Sequence, residues 1–274
     1  MTGASAADHH QAIAPSGPGT PGGRSQTLGA GSAEPAASQA ETTEGGPSEC
    51  SRFDWRGHRL ELLAAGAVLD PSQGLLLVAD LHLGKAEVFQ SHGIPLPSDG
   101  DAATLNALLT LVHRWRPRRL VVLGDLIHGR LGLTAELRQK LAALPELLGC
   151  PLELIGGNHD QGSWFDGLPC AASRAAGPLW LSHEPEDGRG RLNLCGHIHP
   201  VALVGARADR LRLPCFAHDQ AAERLLLPAF GALTGGHPVP DHWQRWVLAE
   251  GRVLRLPQPG LNPRQPGRAP HRRG

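Results

Sequence analysis

The strongest constraint on the fold is a repeated arrangement in which a short apolar run is followed by aspartate, asparagine or histidine. Residues 75–79 are the clearest case, five apolar residues that follow Gly74 and precede Asp80 and His82. Such a run predicts a strand buried on both faces. Side chains two positions apart on a strand point the same way, so Asp80 and His82 are expected side by side. The pair suits a divalent transition metal, although one D-x-H triplet is equally compatible with a surface loop.

Four further stretches share this design, an apolar run followed by residues that commonly bind metals: 120–123 before Asp125, 152–155 before Asn158, His159 and Asp160, 179–181 before His183, and 192–195 before His197 and His199. In open α/β sheets, ligands bind beyond the carboxyl ends of the strands. All five stretches are therefore expected to deliver their polar side chains to one edge. This convergence, rather than any single motif, predicts a metal site.

The order D-x-H, G-D, G-N-H-D, H and G-H-x-H resembles that of the calcineurin-like metallophosphoesterases, over roughly residues 58–255. The detailed motifs are similar to those of the bacterial ligase-associated DNA damage response endonuclease family, PdeM. The segments that carry this similarity are 79–85, 181–185, 196–200, 213–216 and 227–236. The resemblance implies an α/β fold, the four-layer α/β/β/α sandwich of the calcineurin-like metallophosphoesterases.

Seven of these side chains are candidate ligands: Asp80, His82, Asp125, Asn158, His183, His197 and His199. Seven ligands are too many for one tetrahedral ion but suit two divalent ions that share a carboxylate. The resemblance implies a first ion held by Asp80, His82 and His199, a second held by Asn158, His183 and His197, and a bridge formed by Asp125. Two divalent ions against two aspartates leave a positive pocket, which favours an anionic substrate. The resemblance points to Mn²⁺, and imidazole and carboxylate ligands without cysteine also suit Fe²⁺, Zn²⁺ or Co²⁺.

His159, next to Asn158, resembles the family's non-ligand histidine, which contacts the phosphate or protonates the leaving oxygen, and Asp160 is a candidate to orient it. The expected reaction is in-line attack on phosphorus by a hydroxide that bridges the two metals. His128 lies three residues after Asp125. Hydrogen bonding behind a ligand, substrate contact and a purely structural role all remain open for it.

The resemblance implies a DNA endonuclease of bacterial DNA repair that cuts single-stranded or flapped DNA. An ATP-dependent DNA ligase, a helicase and an exonuclease are the partners that the family name implies. Fold and metals define only the reaction type, so a phosphatase or small-nucleotide phosphodiesterase is the alternative. A non-catalytic partner-binding scaffold is disfavoured because every ligand position is filled.

Four side chains near the motifs are candidates to contact nucleic acid: Lys85, Arg130, Trp164 and Phe165. Trp164 and Phe165 would equally suit the core. The most basic run, 114–119, precedes its strand. It is interpreted as a solvated turn at the edge opposite the metals.

One metallophosphoesterase domain, residues 50–255, is predicted between two tails. Residues 1–49 are rich in Gly, Ala, Ser and Pro and are expected to be disordered. Residues 256–274 hold five prolines and four arginines without an acid, and form either a basic hook for nucleic acid or a solvated terminus. No apolar run approaches the ~20 residues of a membrane span, and the five cysteines form no CxxC site. We expect a cytoplasmic protein with reduced thiols and no membrane contact.

Hydrophobic periodicity predicts the elements of this domain: a hairpin at 59–63 and 67–69, helices at 101–115 and 134–148, and short strands at about 192–195, 201–204, 211–213, 225–227, 245–249 and 252–255.

Overall fold

The computed structural model describes residues 48–160, 168–205 and 209–258. Nearly all of both predicted tails, together with Trp164 and Phe165, lies outside these residues. Ser48 already pairs with Val253, so the described fold begins slightly before the predicted boundary. Within the described ranges, no helix is long and apolar enough to cross a membrane.

In the part of the chain that the structure describes, the first sheet contains seven strands in sequential order: β1 (Cys50–Trp55), β2 (His58–Leu63), β3 (Ala67–Asp70), β4 (Leu75–Val78), β5 (Arg119–Leu123), β6 (Leu152–Ile155) and β7 (Cys170–Ala171). The strands from β1 to β4 pair antiparallel, and those from β4 to β7 pair parallel. The predicted hairpin is confirmed as β2 and β3. The first strand was not predicted, although Phe53 and Trp55 are buried with a period of two.

Among the described residues, three α-helices accompany this sheet: α1 (Lys85–Ser91), α2 (Gly100–Trp115) and α3 (Ala135–Leu148). Both predicted long helices are confirmed within one residue. The third helix begins where the Thr134 side chain accepts a hydrogen bond from the Leu137 N–H (3.1 Å), and it ends at Gly149, whose φ of 67° is left-handed. Leucines such as Leu108 and Leu141 pack on the outer face of the first sheet.

Over the described ranges 168–205 and 209–258, the second sheet contains nine strands: β8 (Ser173–Ala176), β9 (Leu179–Ser182), β10 (Leu192–Cys195), β11 (Pro200–Val204), β12 (Leu211–Asp219), β13 (Arg224–Leu226), β14 (His237–Pro238), β15 (Gln244–Ala249) and β16 (Arg252–Arg255). Its order is β14-β11-β12-β13-β10-β9-β8, with β15 pairing to β12 and to β16. All six strands predicted after residue 190 are confirmed, and β12 is longer than expected.

The two sheets pack face to face through one apolar layer, in which Leu77, Val121 and Ile155 of the first sheet meet Leu181 and Leu194 of the second. The α/β sandwich is therefore confirmed. Within the described residues the helices lie on the first sheet only. The outer face of the second sheet carries a smaller cluster that includes Cys195, Cys215 and Val247.

The parallel strands position the site. In the first sheet β4, β5 and β6 run in the same direction, and in the second sheet β9 and β10 do so. Because parallel strands end at the same edge, the loops that follow them lie close together. The predicted ligands are carried by these loops.

Candidate metal centre

The side chains predicted to hold the first ion lie together. Oδ1 of Asp80 is 3.2 Å from Nε2 of His199, and Nε2 of His82 is 3.4 Å from the same nitrogen. Oδ2 of Asp125 is 3.8 Å from Nε2 of His82. This half of the site therefore presents two imidazoles and two carboxylates to one point.

The side chains predicted to hold the second ion form an adjoining group. Nε2 of His183 is 3.0 Å from Oδ1 of Asn158 and 3.1 Å from Nδ1 of His197. It is also 3.5 Å from Oδ2 of Asp125, the oxygen that faces His82. Asp125 thus lies between the two groups, as a bridging ligand would.

Five of the seven predicted ligands have a left-handed backbone, with φ of 56° at Asp80, 49° at His82, 50° at Asp125, 63° at His197 and 49° at His199. Strand β4 ends at Val78, so the expectation that strand pleating aligns Asp80 with His82 was wrong. The left-handed turns orient these side chains instead. Such backbone costs on the order of 1–3 kcal/mol per residue and concentrates at functional sites.

Hydrogen bonds between the loops hold this backbone in place. The N–H of Asp80 donates to the Gly124 carbonyl (3.1 Å), and the N–H of His82 donates to the Asp125 carbonyl (2.9 Å). The Asp80 carboxylate accepts the N–H of His197 (3.0 Å), which joins the two sheets. The ligand loops therefore form one connected unit.

Asp160 has a structural role that differs from the predicted one. Its carboxylate accepts backbone N–H groups of Leu126 (3.3 Å), Ile127 (3.2 Å) and Gly157 (3.0 Å), and so joins the loops after β5 and β6. The suggestion that it orients His159 was wrong, because Nδ1 of His159 instead contacts the His128 carbonyl oxygen at 2.7 Å.

Burial sets the protonation of the ligands. Asp80, His82, Asp125 and His183 are all less than a tenth exposed. Burial, reinforced by the imidazoles of His199 and His128, lowers the pKa of His82 to about 2. Burial also raises the pKa of Asp125, against the opposing effect of His183. At His199, burial lowers the pKa, but the hydrogen bond and the charge of Asp80, together with contributions from Gly235 and Asp125, outweigh it and the net shift is upward.

The donor set fits divalent metal ions. Unprotonated imidazole nitrogens are good ligands, and here nitrogens face each other at 3.1 and 3.4 Å, a separation that only a shared proton or a cation makes favourable. Buried aspartates likewise need compensating positive charge. Groups that could hold an ion include Asp80 with His82 and His199, and Asp80 with Asp125 and His183.

His128, whose role the sequence left open, lies inside the site. Its ring stacks on that of His159, with centroids 4.9 Å apart and planes at 19°, and its Nδ1 is 3.2 Å from Nδ1 of His82. Burial, followed by electrostatic contributions from His159 and Lys85, lowers the pKa of His128 to about 4. A neutral His128 therefore contacts both a predicted ligand and the predicted proton donor.

Two sizeable cavities within the described residues adjoin the site. One of about 420 Å³ borders Asn158 and His183, and is also lined by Glu184 and Glu186. The other, of about 200 Å³, borders His199 and Arg212. Of the predicted nucleic-acid contacts, Lys85 donates to the Leu233 carbonyl at 2.8 Å. Arg130 is exposed in a short 3₁₀ turn, Arg130–Gly132.

The crystal structure of Pseudomonas putida nuclease MPE is similar to this chain, with 32% sequence identity and a TM-score of 0.64, over 76% of this chain and 100% of that chain. A phosphoesterase from E. coli, Yfce, matches with 18% identity and a TM-score of 0.35, over 64% of this chain and 88% of that one. No protein-family model and no curated protein matches the sequence.

The sandwich fold and the paired histidine and aspartate groups define a metal-dependent phosphoesterase, a hydrolase. The identity to the Pseudomonas nuclease over its full length makes the assignment more specific. The chain belongs to the calcineurin-like metallophosphoesterases, the family that its motifs predicted.

Proposed function

We propose that this protein is a metal-dependent endonuclease that cuts single-stranded DNA in bacterial DNA repair. The observation that carries the proposal is the position of Asp125 between two ligand groups, with Oδ2 3.8 Å from His82 and 3.5 Å from His183. Such a pair of groups is the arrangement used for phosphodiester hydrolysis. The similarity to a nuclease supports DNA as the substrate.

Two divalent ions would occupy the site, and Mn²⁺ is the ion we propose. The first would be held by Asp80, His82 and His199, the second by Asn158, His183 and His197, and Asp125 would contact both. When bound, they supply an activated water at neutral pH and positive charge for the phosphoryl oxygens.

His159 is the residue we assign to the leaving group. Its Nδ1 lies 2.7 Å from the His128 carbonyl, so Nδ1 carries a proton and donates it to that oxygen. Nε2 is then the nitrogen available to carry a second proton. The stacked ring of His128 and the backbone hydrogen bond from His159 N–H to Asp125 Oδ1 (3.0 Å) fix the position of the imidazole. A positioned imidazole can protonate the departing oxygen of a DNA strand.

A small-nucleotide phosphodiesterase or phosphatase is the second candidate. The cavity of about 420 Å³ beside Asn158 and His183 favours it, because pockets of 300 to 1,000 Å³ are typical of small-molecule sites. Its two glutamates, Glu184 and Glu186, would disfavour a long polyanion on that side. The ligase, helicase and exonuclease partners, and the cytoplasmic location, remain predictions from the sequence.

Cleavage of circular single-stranded DNA tests the proposal, because a circle has no ends and its linearisation reports internal cuts alone. We expect linearisation with Mn²⁺, none with EDTA, and none with Asp125→Ala or His159→Ala. His242→Ala, at an exposed histidine in the loop before β15, is the matched control and should cut normally. Hydrolysis of bis-p-nitrophenyl phosphate without linearisation would reject the DNA assignment and favour the small-nucleotide alternative.

A further inference from the structure

A further cleft, of about 400 Å³, lies away from the two cavities beside the metal centre, at the opposite edge of the sheets. It is lined by Gln73, Leu75, Arg118, Arg119, Arg174 and Ala176. Leu75 and Arg119 are the first residues of β4 and β5, whereas Asp80 and Asp125 follow the other ends of these strands. At about 3.3 Å per residue, the cleft is roughly 15 Å from the ligands.

Arg119 and Arg174 come from different sheets and share one acid. The Glu153 carboxylate lies 3.0 Å from Nε of Arg119 and 2.6 Å from a terminal nitrogen of Arg174. Nε of Arg174 is buried and has no hydrogen-bond acceptor among the described residues. Glu153 thus holds both guanidinium groups in place, and Nε of Arg174 is left as an unused donor.

Arg118 adds a third guanidinium group. Its aliphatic stem packs on Gly74, where a Cβ would lie only 2.8 Å from Cγ of Arg118. Its backbone N–H donates to the Gly74 carbonyl at 2.7 Å. Within the described part of the chain, no acid pairs with its side chain. Three guanidinium groups therefore line the cleft, and Glu153 pairs with two of them, so the lining carries more positive than negative charge.

The run 114–119 lies at the edge opposite the metals, as predicted, and both Arg118 and Arg119 are exposed there. Arg114 pairs with Glu49, but Arg118 and Arg119 face the cleft and meet Arg174 from β8. A guanidinium fork matches the oxygens of a phosphate, and a partly enclosed cleft screens the interaction less than open surface does.

We propose that this cleft binds a backbone phosphate of the DNA strand whose scissile phosphate lies at the metal centre. This inference rests on the proposed nuclease function and extends it. With one phosphate per 3.4 Å of strand, a separation of roughly 15 Å corresponds to about five nucleotides, and a strand that runs over the protein surface between the two sites needs more. Long strands would therefore bind more tightly than short ones, without any difference in the chemical step.

Equilibrium binding in EDTA tests the cleft without cleavage. We would compare a fluorescent single strand of ~30 nucleotides with a trinucleotide, for the wild type, Arg118→Gln and the double variant Arg118→Gln/Arg174→Gln. We expect the long strand to bind about threefold more weakly for each arginine removed, and the slope of log K against log salt to fall by about 0.7 per lost contact. The trinucleotide, which is too short to reach both sites, should bind the wild type more weakly than the long strand does.

A matched control removes the same charge elsewhere. Arg52 and Arg59 are exposed on the first hairpin, paired with Asp54 and Glu61, and Arg52→Gln/Arg59→Gln should bind the long strand like the wild type. With Mn²⁺, the cleft variants should raise KM for the long strand and leave kcat and bis-p-nitrophenyl phosphate hydrolysis unchanged. Arg118→Gln alone carries the test if the loss of Arg174 impairs folding.

The outcomes separate the two proposals. If the wild type does not cleave DNA with Mn²⁺, the nuclease function is rejected. The binding measurements in EDTA would still show whether the cleft binds DNA. If Arg118→Gln/Arg174→Gln binds the long strand with the affinity and the salt dependence of the wild type, the inference about the cleft is overturned, even if the wild type cleaves DNA normally. Calorimetry with pyrophosphate is the last experiment. If the substitutions abolish pyrophosphate binding but leave DNA binding unchanged, the cleft binds a small phosphate ligand and its assignment to DNA is overturned.

Discussion

The backbone N–H of His159 donates a hydrogen bond to Oδ1 of Asp125 at 3.0 Å. The other carboxylate oxygen, Oδ2, faces His82 and His183. One carboxylate therefore fixes the loop of the predicted proton donor and also joins the two ligand groups. The metal sites and the leaving-group site are mechanically connected through this side chain.

Asp125→Asn should separate these two functions. An amide oxygen can still accept the His159 N–H, so the fold should be retained, but the lost charge removes the shared anionic ligand. We expect Mn²⁺ bound per chain to fall from two ions to one or none, and hydrolysis to fall by at least about 100-fold. Metal analysis after gel filtration measures the first and bis-p-nitrophenyl phosphate the second. Two tightly bound ions in this variant would contradict the bridging role.

Gly157→Ala should damage the site through packing alone. A Cβ at this position would overlap Oδ1 and the backbone nitrogen of Asp125. We expect Mn²⁺ affinity to fall by about 10- to 100-fold, the range found when groups that orient metal ligands are changed. A titration of activity with Mn²⁺ measures this affinity. Gly129→Ala is the control in a neighbouring loop, since its Cβ would meet only Val88, at 3.9 Å. Equal Mn²⁺ affinities for the two variants would reject the argument.

His159→Gln should affect substrates according to their leaving group. A deoxyribose oxygen needs a proton as it departs, whereas p-nitrophenolate does not. We expect DNA cleavage to fall by about 10² to 10⁴-fold and hydrolysis of bis-p-nitrophenyl phosphate to change little. Rates for both substrates at saturating Mn²⁺ provide the comparison. A proportional loss on both would indicate that His159 positions the metals or the phosphate instead.

Asp70 should make the fold sensitive to acid. It is fully buried, and its carboxylate accepts hydrogen bonds from Ser72 and Gln73 and contacts Nε2 of His58 at 2.8 Å. Burial raises the pKa of Asp70, but these hydrogen bonds outweigh it and the net pKa is below the usual value of 3.8. The unfolded chain then binds a proton more readily, so this stabilisation is present above about pH 4 and is lost as the pH falls through the folded pKa.

Asp70→Asn tests that expectation. We expect the free energy of unfolding at neutral pH to fall by about 2 kcal/mol, because the amide presents donors to groups that already donate. As the pH falls below about 4, towards the folded pKa of Asp70, the difference in free energy from the wild type should narrow. Urea denaturation at several pH values measures both effects, with Asp54→Asn, at an exposed ion pair, as the control. If the difference in unfolding free energy between Asp70→Asn and the wild type does not change with pH, the charge of Asp70 is not its cause.

The sequence predicted the elements best where one period dominates. Helix α2 was predicted because Leu105, Leu108 and Val112 recur at helical spacing, and all three are buried against the sheet. It could not predict the turns that orient Asp80 and His82, since left-handed backbone depends on hydrogen bonds to another loop. The pairing of Arg174 with Glu153 was also not predictable, because the two residues belong to different sheets.

The left-handed backbone at Asp80, His82, Asp125, His197 and His199 bears on any attempt to transplant this site into another scaffold. Aspartate, asparagine and histidine tolerate this conformation better than other residues with a side chain, and β-branched residues tolerate it least. A host protein that supplied the same seven side chains on regular strands would aim them elsewhere. A designer would have to copy the turns before copying the residues.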